Sequence, residues 1–135
     1  MARNRGATGL ASRPLALADM MDALQRAWGA ETSSDPSRWS PSNPAWGQCA
    51  VTALIVQDHF GGGLFRGVVD GATHYWNVLP SGETVDLTLH QFEEEEPCIS
   101  QVEAREREYV LSFPDTLRRY RSLRHKVHAL LSEAS

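Results

Sequence analysis

Hydrophobic positions in the first half of the chain follow helical periods. Between Leu15 and Trp28 the apolar residues recur at helical spacing, which predicts an amphipathic helix with Gly29 as its C-terminal stop. From Gly47 to Phe60 apolar residues occur all along the run, so a second helix is predicted that is buried on most sides. Gly61 to Gly63 end it.

After these glycines the helical periodicity ends, and the hydrophobic residues fall in short segments typical of strands. Three strands are predicted, over Leu64–Val69, His74–Leu79 and Glu83–Thr88. The turn sequences Asp70-Gly71 and Pro80-Ser81-Gly82 separate them. Because such turns join adjacent antiparallel strands, the simplest arrangement is an antiparallel meander.

The C-terminal part returns to a helical pattern. Tyr109–Phe113 is rich in aromatic and β-branched residues and predicts a fourth strand. Apolar residues at helical spacing over 117–131 predict a terminal helix, with Ser112 as its cap and Pro114 early in its first turn. Helices and strands are therefore segregated along the chain, as in the α+β class.

Size and composition are those of an ordinary globular protein. The chain has 135 residues, of which 41% are hydrophobic and 22% charged, which predicts a single α+β domain over 14–135 behind a flexible tail, 1–13. No apolar run reaches the length of a membrane span, and signal-peptide and lipid-anchor patterns are missing. The expected location is the cytoplasm, without membrane association.

Charge and cysteine content exclude several classes of function. The net charge is −4, and a basic segment over 114–131 is offset by acidic residues, including Glu93–Glu96; no nucleic-acid partner is expected. Two cysteines, Cys49 and Cys98, without a CxxC pair cannot build a disulfide framework or a four-cysteine zinc site. Phosphate-binding glycine patterns do not occur, so no cofactor is expected. The sequence does not predict an oligomeric state.

The segment between the two N-terminal helices is an unusually long loop. Residues 30–46 contain three turn dipeptides that end in proline. A loop of this length inside a small domain is uncommon unless it serves a binding or catalytic site. Its tryptophans, Trp39 and Trp46, are therefore expected to form walls of a substrate groove.

Three residues in separate segments could act together. Cys49 lies at a predicted helix N-terminus, where the helix dipole and free backbone amides favour a thiolate and a developing oxyanion. If Pro80-Ser81-Gly82 closes the hairpin, His74 lies opposite Asp86 or its neighbour, and a carboxylate beside an imidazole fixes its tautomer. The alternatives are a space-filling cysteine and an ordinary cross-strand ion pair.

These segments resemble known families. Cys49 at a helix start, His74-Tyr75-Trp76-Asn77 and Val85-Asp86-Leu87-Thr88 resemble the core of the transglutaminase-like and papain-like cysteine superfamily. More closely, Trp28 through Phe92 is similar to the YunG-like family of small bacterial proteins. The shared residues are Trp28, Thr32, Asn43-Pro44, Gly47 through Ala53, Gly61-Gly62, His74 through Asn77, Asp86-Leu87-Thr88 and Gln91-Phe92. The resemblance implies a papain/transglutaminase-like core, with helices packed on a small antiparallel sheet and a C-terminal helix.

The resemblance also implies roles for individual residues. Cys49 would be the nucleophile, His74 its base and later the acid, and Asp86 the orienting group. The oxyanion would be bound by the Cys49 amide together with Asn43 or Gln48. The implied reaction is hydrolysis or transfer at an amide, isopeptide or thioester carbonyl, peptidase- or deamidase-like, on a peptide or protein side chain bound in an open groove.

Two other interpretations remain open from the sequence. The same shell could be a non-catalytic module that binds a partner peptide or protein. Alternatively, Cys49, His74 and Asp86, with His90, offer ligand types that suit zinc, although their spacing matches no familiar metal site and no metal is expected. Trp76 is expected to pack in the core against the Cys49 helix, or else to contribute to the groove.

Overall fold

A computed structural model describes residues 15–92 and 97–134 and shows an α+β fold. The elements, in chain order, are α1 (Leu17–Ala27), a 3-10 helix (Ala30–Thr32), α2 (Cys49–Phe60), β1 (Gly63–Val69), β2 (Ala72–Val78), β3 (Thr84–Val85), a 3-10 helix (Leu89–Gln91), β4 (Ser100–Arg105), α3 (Arg107–Leu111) and α4 (Pro114–Ala134). The predicted 1–13 tail and the acidic block Glu93–Glu96 lie outside the described residues. No helix in the described part combines the length and apolar character needed to cross a membrane.

The four strands form one antiparallel sheet in the order β3-β2-β1-β4. β1 and β2 pair from Gly63 opposite Val78 to Val69 opposite Ala72. Asp70 and Gly71 join them with φ angles of 51° and 80°, the left-handed conformation that a two-residue hairpin turn requires at both positions. The predicted meander of the first three strands is confirmed.

The helices cover one face of this sheet. Asn77 on β2 donates a buried hydrogen bond of 2.9 Å from Nδ2 to the Ala53 carbonyl oxygen on α2, and Tyr75 joins the core on the same face. Residues on a strand alternate between faces, so His74 and Trp76 lie on the other side. The buried cluster consists of Met20, Ala23, Leu24, Ala27, Trp28, Ala45, Val51, Ala53, Leu54, Ile55, Leu64, Tyr75, Val110, Tyr120, Leu123 and Val127.

Glycines define both ends of α2. Gly61 ends the helix at a φ of 74°, as the sequence predicts. Gly47 has the same φ, and a Cβ there would lie 2.3 Å from Ser33 Oγ. Only glycine fits such a contact in the left-handed conformation. The chain can therefore turn sharply just before Cys49, which becomes the first residue of the helix.

The C-terminal elements differ from those predicted. The fourth strand is β4, whereas most of Tyr109–Phe113 belongs to α3 and the residues after it. β4 is an exposed edge strand, so it carries no apolar alternation that a pattern could detect. Ser112 ends α3, donating from Oγ to the Tyr109 carbonyl oxygen, and does not cap α4. Pro114 is the first residue of α4, as predicted.

One helix cap and one strand boundary are corrected. Gly29 does not end α1 in a left-handed cap, because its φ is −151° and it leads directly into the 3-10 helix at Ala30–Thr32. The third strand contains only Thr84–Val85. Beyond it the chain leaves the sheet and turns. Asp86 therefore lies just past the end of a strand, where side chains need not alternate between the two faces of the sheet.

Candidate active site

Cys49 is one of the residues that line an open groove. The groove has a volume of about 740 Å³, and loop 34–47, the β1–β2 turn and the segment ending at Phe92 line it. Cys49 is partly exposed, and its Sγ is 3.9 Å from the Thr73 carbonyl oxygen. The first amides of a helix have no partner within the helix, and Cys49 is the first residue of α2.

His74 and Asp86 form a close pair, and neither is among the described residues that line the groove. His74 Nε2 lies 2.6 Å from Asp86 Oδ2, and the side chains are 0% and 11% exposed. The second carboxylate oxygen, Oδ1, accepts hydrogen bonds from the Thr88 backbone N–H at 3.2 Å and the Thr88 hydroxyl at 3.4 Å. Thr88 therefore fixes the carboxylate, and the carboxylate fixes the ring.

Aromatic packing holds the imidazole from both sides. The His74 ring stacks on Trp76 with a centroid distance of 5.9 Å and meets the edge of Phe92 at 5.0 Å. Its second nitrogen, Nδ1, is buried and has no hydrogen-bond partner of normal geometry. Unpaired buried nitrogens are uncommon, so Nδ1 is the ring atom that is left to bind a further group.

Two neighbouring side chains affect the pKa of His74. Burial lowers it, but the hydrogen bond to Asp86 and the interaction with the Cys49 thiol raise it, and together they bring the pKa of His74 from 6.5 to about 9. The ring is therefore an imidazolium at neutral pH. The imidazole and the carboxylate are therefore paired, as the hairpin numbering predicts; that Cys49 completes a triad with them stays a prediction.

The two predicted oxyanion donors lie in different places. Asn43 lines the groove, and its Nδ2 donates to the Gln91 carbonyl oxygen at 2.9 Å, which leaves one amide hydrogen. Gln48 is fully buried and its Nε2 donates to the Gly29 carbonyl oxygen at 3.0 Å. Gln48 as an oxyanion donor is corrected: its side chain points into the interior, away from the groove.

Of the three tryptophans predicted to line the groove, one does. Trp46 is among the lining residues. Trp39 is not, and its indole N–H donates to the Pro44 carbonyl oxygen at 2.9 Å within the loop. Trp76 is buried between His74 and Phe65, on the sheet face opposite α2. It supports the imidazole and does not pack on the Cys49 helix.

Gln91 has a positioning role that the sequence did not reveal. Its Oε1 accepts a hydrogen bond from the Gly47 N–H at 3.2 Å, and its Nε2 donates to the Thr88 carbonyl oxygen at 3.0 Å. With the bond from Asn43, the buried Gln91 ties the loop before Cys49 to the segment after Asp86. The only sequence signal for this role is that Gln91 belongs to the Gln91-Phe92 pair shared with the YunG-like family.

The described residues do not support the zinc interpretation. Within 15–92 and 97–134 no three His, Cys, Asp or Glu side chains are arranged to hold a metal ion. His90, the fourth ligand considered, packs against Trp28 at a centroid distance of 6.0 Å. Because His74 Nε2 is already bound to Asp86, the pair acts as a hydrogen-bonded unit.

Comparison with known proteins identifies the family. The family model described as YunG protein matches residues 16–132. The chain belongs to the YunG family. It is 41% identical over 70 residues to the Bacillus subtilis (strain 168) protein named "Uncharacterized protein YunG", a match that covers 52% of this chain and 57% of that relative. No solved structure matches the chain.

Membership in the YunG family confirms the closer of the two resemblances seen in the sequence. The chain spans a little over half the length of the curated relative that it matches. The name of that relative states no activity. The chemistry of this YunG family protein is therefore argued from the geometry around Cys49.

Proposed function

We propose that this YunG family protein is a cysteine-dependent acyl-transfer enzyme with a papain-like catalytic arrangement, acting on an amide, isopeptide or thioester carbonyl. The observation that carries the proposal is the position of the His74 ring. One nitrogen is 2.6 Å from Asp86, the other nitrogen is buried without a hydrogen-bond partner among the described residues, and Cys49 contributes to the raised pKa of the ring. This is the arrangement of a nucleophile, a base and an orienting carboxylate.

The proposed reaction has two stages. The Cys49 thiolate attacks the substrate carbonyl carbon, and the oxyanion is bound by the Cys49 amide and the remaining Asn43 amide hydrogen. The His74 imidazolium then donates its proton to the leaving nitrogen or sulfur, the bond to the carbonyl carbon breaks, and a thioester remains on Cys49. Neutral His74 next takes a proton from water, whose oxygen attacks the thioester. The acid is released, and thiolate and imidazolium are restored.

The first test is acetylation by p-nitrophenyl acetate, followed by peptide mass mapping. We expect one acetyl group per chain, on Cys49, which is then lost by hydrolysis. Cys98, a second free and exposed cysteine, is the internal control and is expected to react about 100-fold more slowly, in line with the usual contribution of a positioned base. Cys49→Ala should remove the fast reaction.

The opposite result favours the second candidate function. If Cys49 is acetylated no faster than Cys98, the acyl-transfer proposal is wrong. The groove of about 740 Å³ would then be the supporting observation for a non-catalytic module that binds a peptide, since a fold does not entail an activity.

A further inference from the structure

Loop 34–38 places a guanidinium group at the rim of the groove that contains Cys49. Among the described lining residues, Arg38 is the one cation. Its guanidinium carbon lies 4.5 Å from the centroid of the Trp46 ring, so the side chain rests on an aromatic surface, a favourable position for a cation. The Arg38 side chain is still 70% exposed, which leaves it accessible to a ligand.

The loop that carries Arg38 is bound to the residues just before Cys49. The Ser33 hydroxyl donates to the Trp46 carbonyl oxygen at 2.8 Å, and the Ser34 N–H donates to the Gly47 carbonyl oxygen at 2.9 Å. Gly47 is only two residues from the nucleophile. These bonds tie the start of the segment that carries Arg38 to the residues just before Cys49.

Asp35 lies beside the Arg38 guanidinium but leaves its terminal amino groups available to bind a ligand. The carboxylate accepts from the Trp46 indole N–H at 3.3 Å and from the Ser37 hydroxyl at 3.1 Å, and it meets Arg38 through Nε at 3.9 Å. Neither terminal amino group of Arg38 has a partner among the described residues. Those two groups form the fork that binds a carboxylate through two hydrogen bonds.

We propose that Arg38 binds a carboxylate of the substrate, so that the acyl-transfer site accepts anionic substrates, such as a peptide with an acidic side chain or a terminal carboxylate near the scissile carbonyl. This inference rests on the proposed function. Asp70, an exposed and unpaired carboxylate in the described part of the chain, lies on the β1–β2 turn and also lines the groove. The described groove lining thus carries one cation, Arg38, and two carboxylates, Asp35 and Asp70, so an anionic group of the substrate is expected at Arg38 and away from Asp70.

The test compares two alkylating reagents that differ in charge. Iodoacetate and iodoacetamide both form a bond from Cys49 Sγ to carbon and release iodide, but only iodoacetate carries a carboxylate. The ratio of the iodoacetate rate to the iodoacetamide rate at Cys49 is expected to fall about five-fold in Arg38→Gln, since the charge that attracts the anion is lost. It should fall by a smaller factor in Arg38→Lys, which keeps the charge but lacks the fork. Asp70→Asn, which suits the same turn, should raise the ratio.

The controls separate this inference from the proposed function. Arg121→Gln removes an exposed cation on α4, outside the groove, and should leave the ratio unchanged. If Cys49 reacts readily but Arg38→Gln has the same ratio as the wild type, carboxylate recognition by Arg38 is wrong and the acyl-transfer proposal stands. If Cys49 is inert towards both reagents, both proposals fail.

Discussion

Replacing His74 with alanine is expected to slow alkylation of Cys49 by iodoacetamide about 10- to 100-fold at pH 6, because the imidazolium that stabilises the thiolate is removed. The measurement is the rate of mass increase of the Cys49 peptide over time. At pH 6 an isolated cysteine is almost entirely a thiol, so the loss of the neighbouring cation is most visible there.

Two features of the chain control this experiment. Cys98 is exposed and free and reports reagent quality within the same sample; its rate should not change. His74 is fully buried, so thermal unfolding must show that the variant folds, and Asp86→Asn, a substitution of nearly the same size, provides a second variant with a smaller decrease in the same direction. Equal Cys49 rates in all three proteins would refute the role of His74.

Asp86→Asn is expected to lower the free energy of unfolding by about 2 kcal/mol at pH 7. The buried ion pair with His74 is replaced by a hydrogen bond to an uncharged amide oxygen, and bonds to charged groups contribute roughly 1.5–3 kcal/mol. The measurement is urea denaturation at a series of pH values. Glu103→Gln is the matched control, because Glu103 is 47% exposed in its ion pairs, and it should cost less than about 1 kcal/mol.

The pH dependence gives the sign of the effect. Because folding raises the pKa of His74 from 6.5 to about 9, this residue's contribution to stability is fully present below pH 6.5 and is lost as the pH rises through about 9. A shift of this size corresponds to about 3 kcal/mol. In Asp86→Asn the decline over this range should be shallower; a wild-type protein whose stability does not fall between pH 6.5 and 9 would contradict the coupling.

The sequence predicted the register of the second hairpin and the position of α2 from local signals. The hairpin numbering predicted pairs that sum to 160–162, and the observed pairs, Asn77 with Val85 and Val78 with Thr84, both sum to 162. Glycines at 47 and 61 and the apolar run between them predicted α2 correctly. These are local signals, since turns and helix ends are encoded by neighbouring residues.

The errors occurred where distant contacts decide the outcome. β4 is a polar edge strand that exists because it pairs with β1, so its own pattern gives no strand signal. Gln48 and Asn43 are similar side chains near the same cysteine, yet one is buried against Gly29 and the other faces the groove. Which way each amide points depends on the tertiary packing of loop 30–46, and no periodicity describes that loop.

The account depends most on one ring being held between a carboxylate and a sulfur. NMR titration of the His74 imidazole tests this directly, using ring signals assigned from the His74→Ala variant. We predict a titration midpoint of about 9 in the wild type and lower midpoints in both Cys49→Ala and Asp86→Asn. A midpoint at or below 6.5 that does not move when Cys49 is replaced would show that sulfur and imidazole are not coupled, and the proposed catalytic arrangement would be wrong.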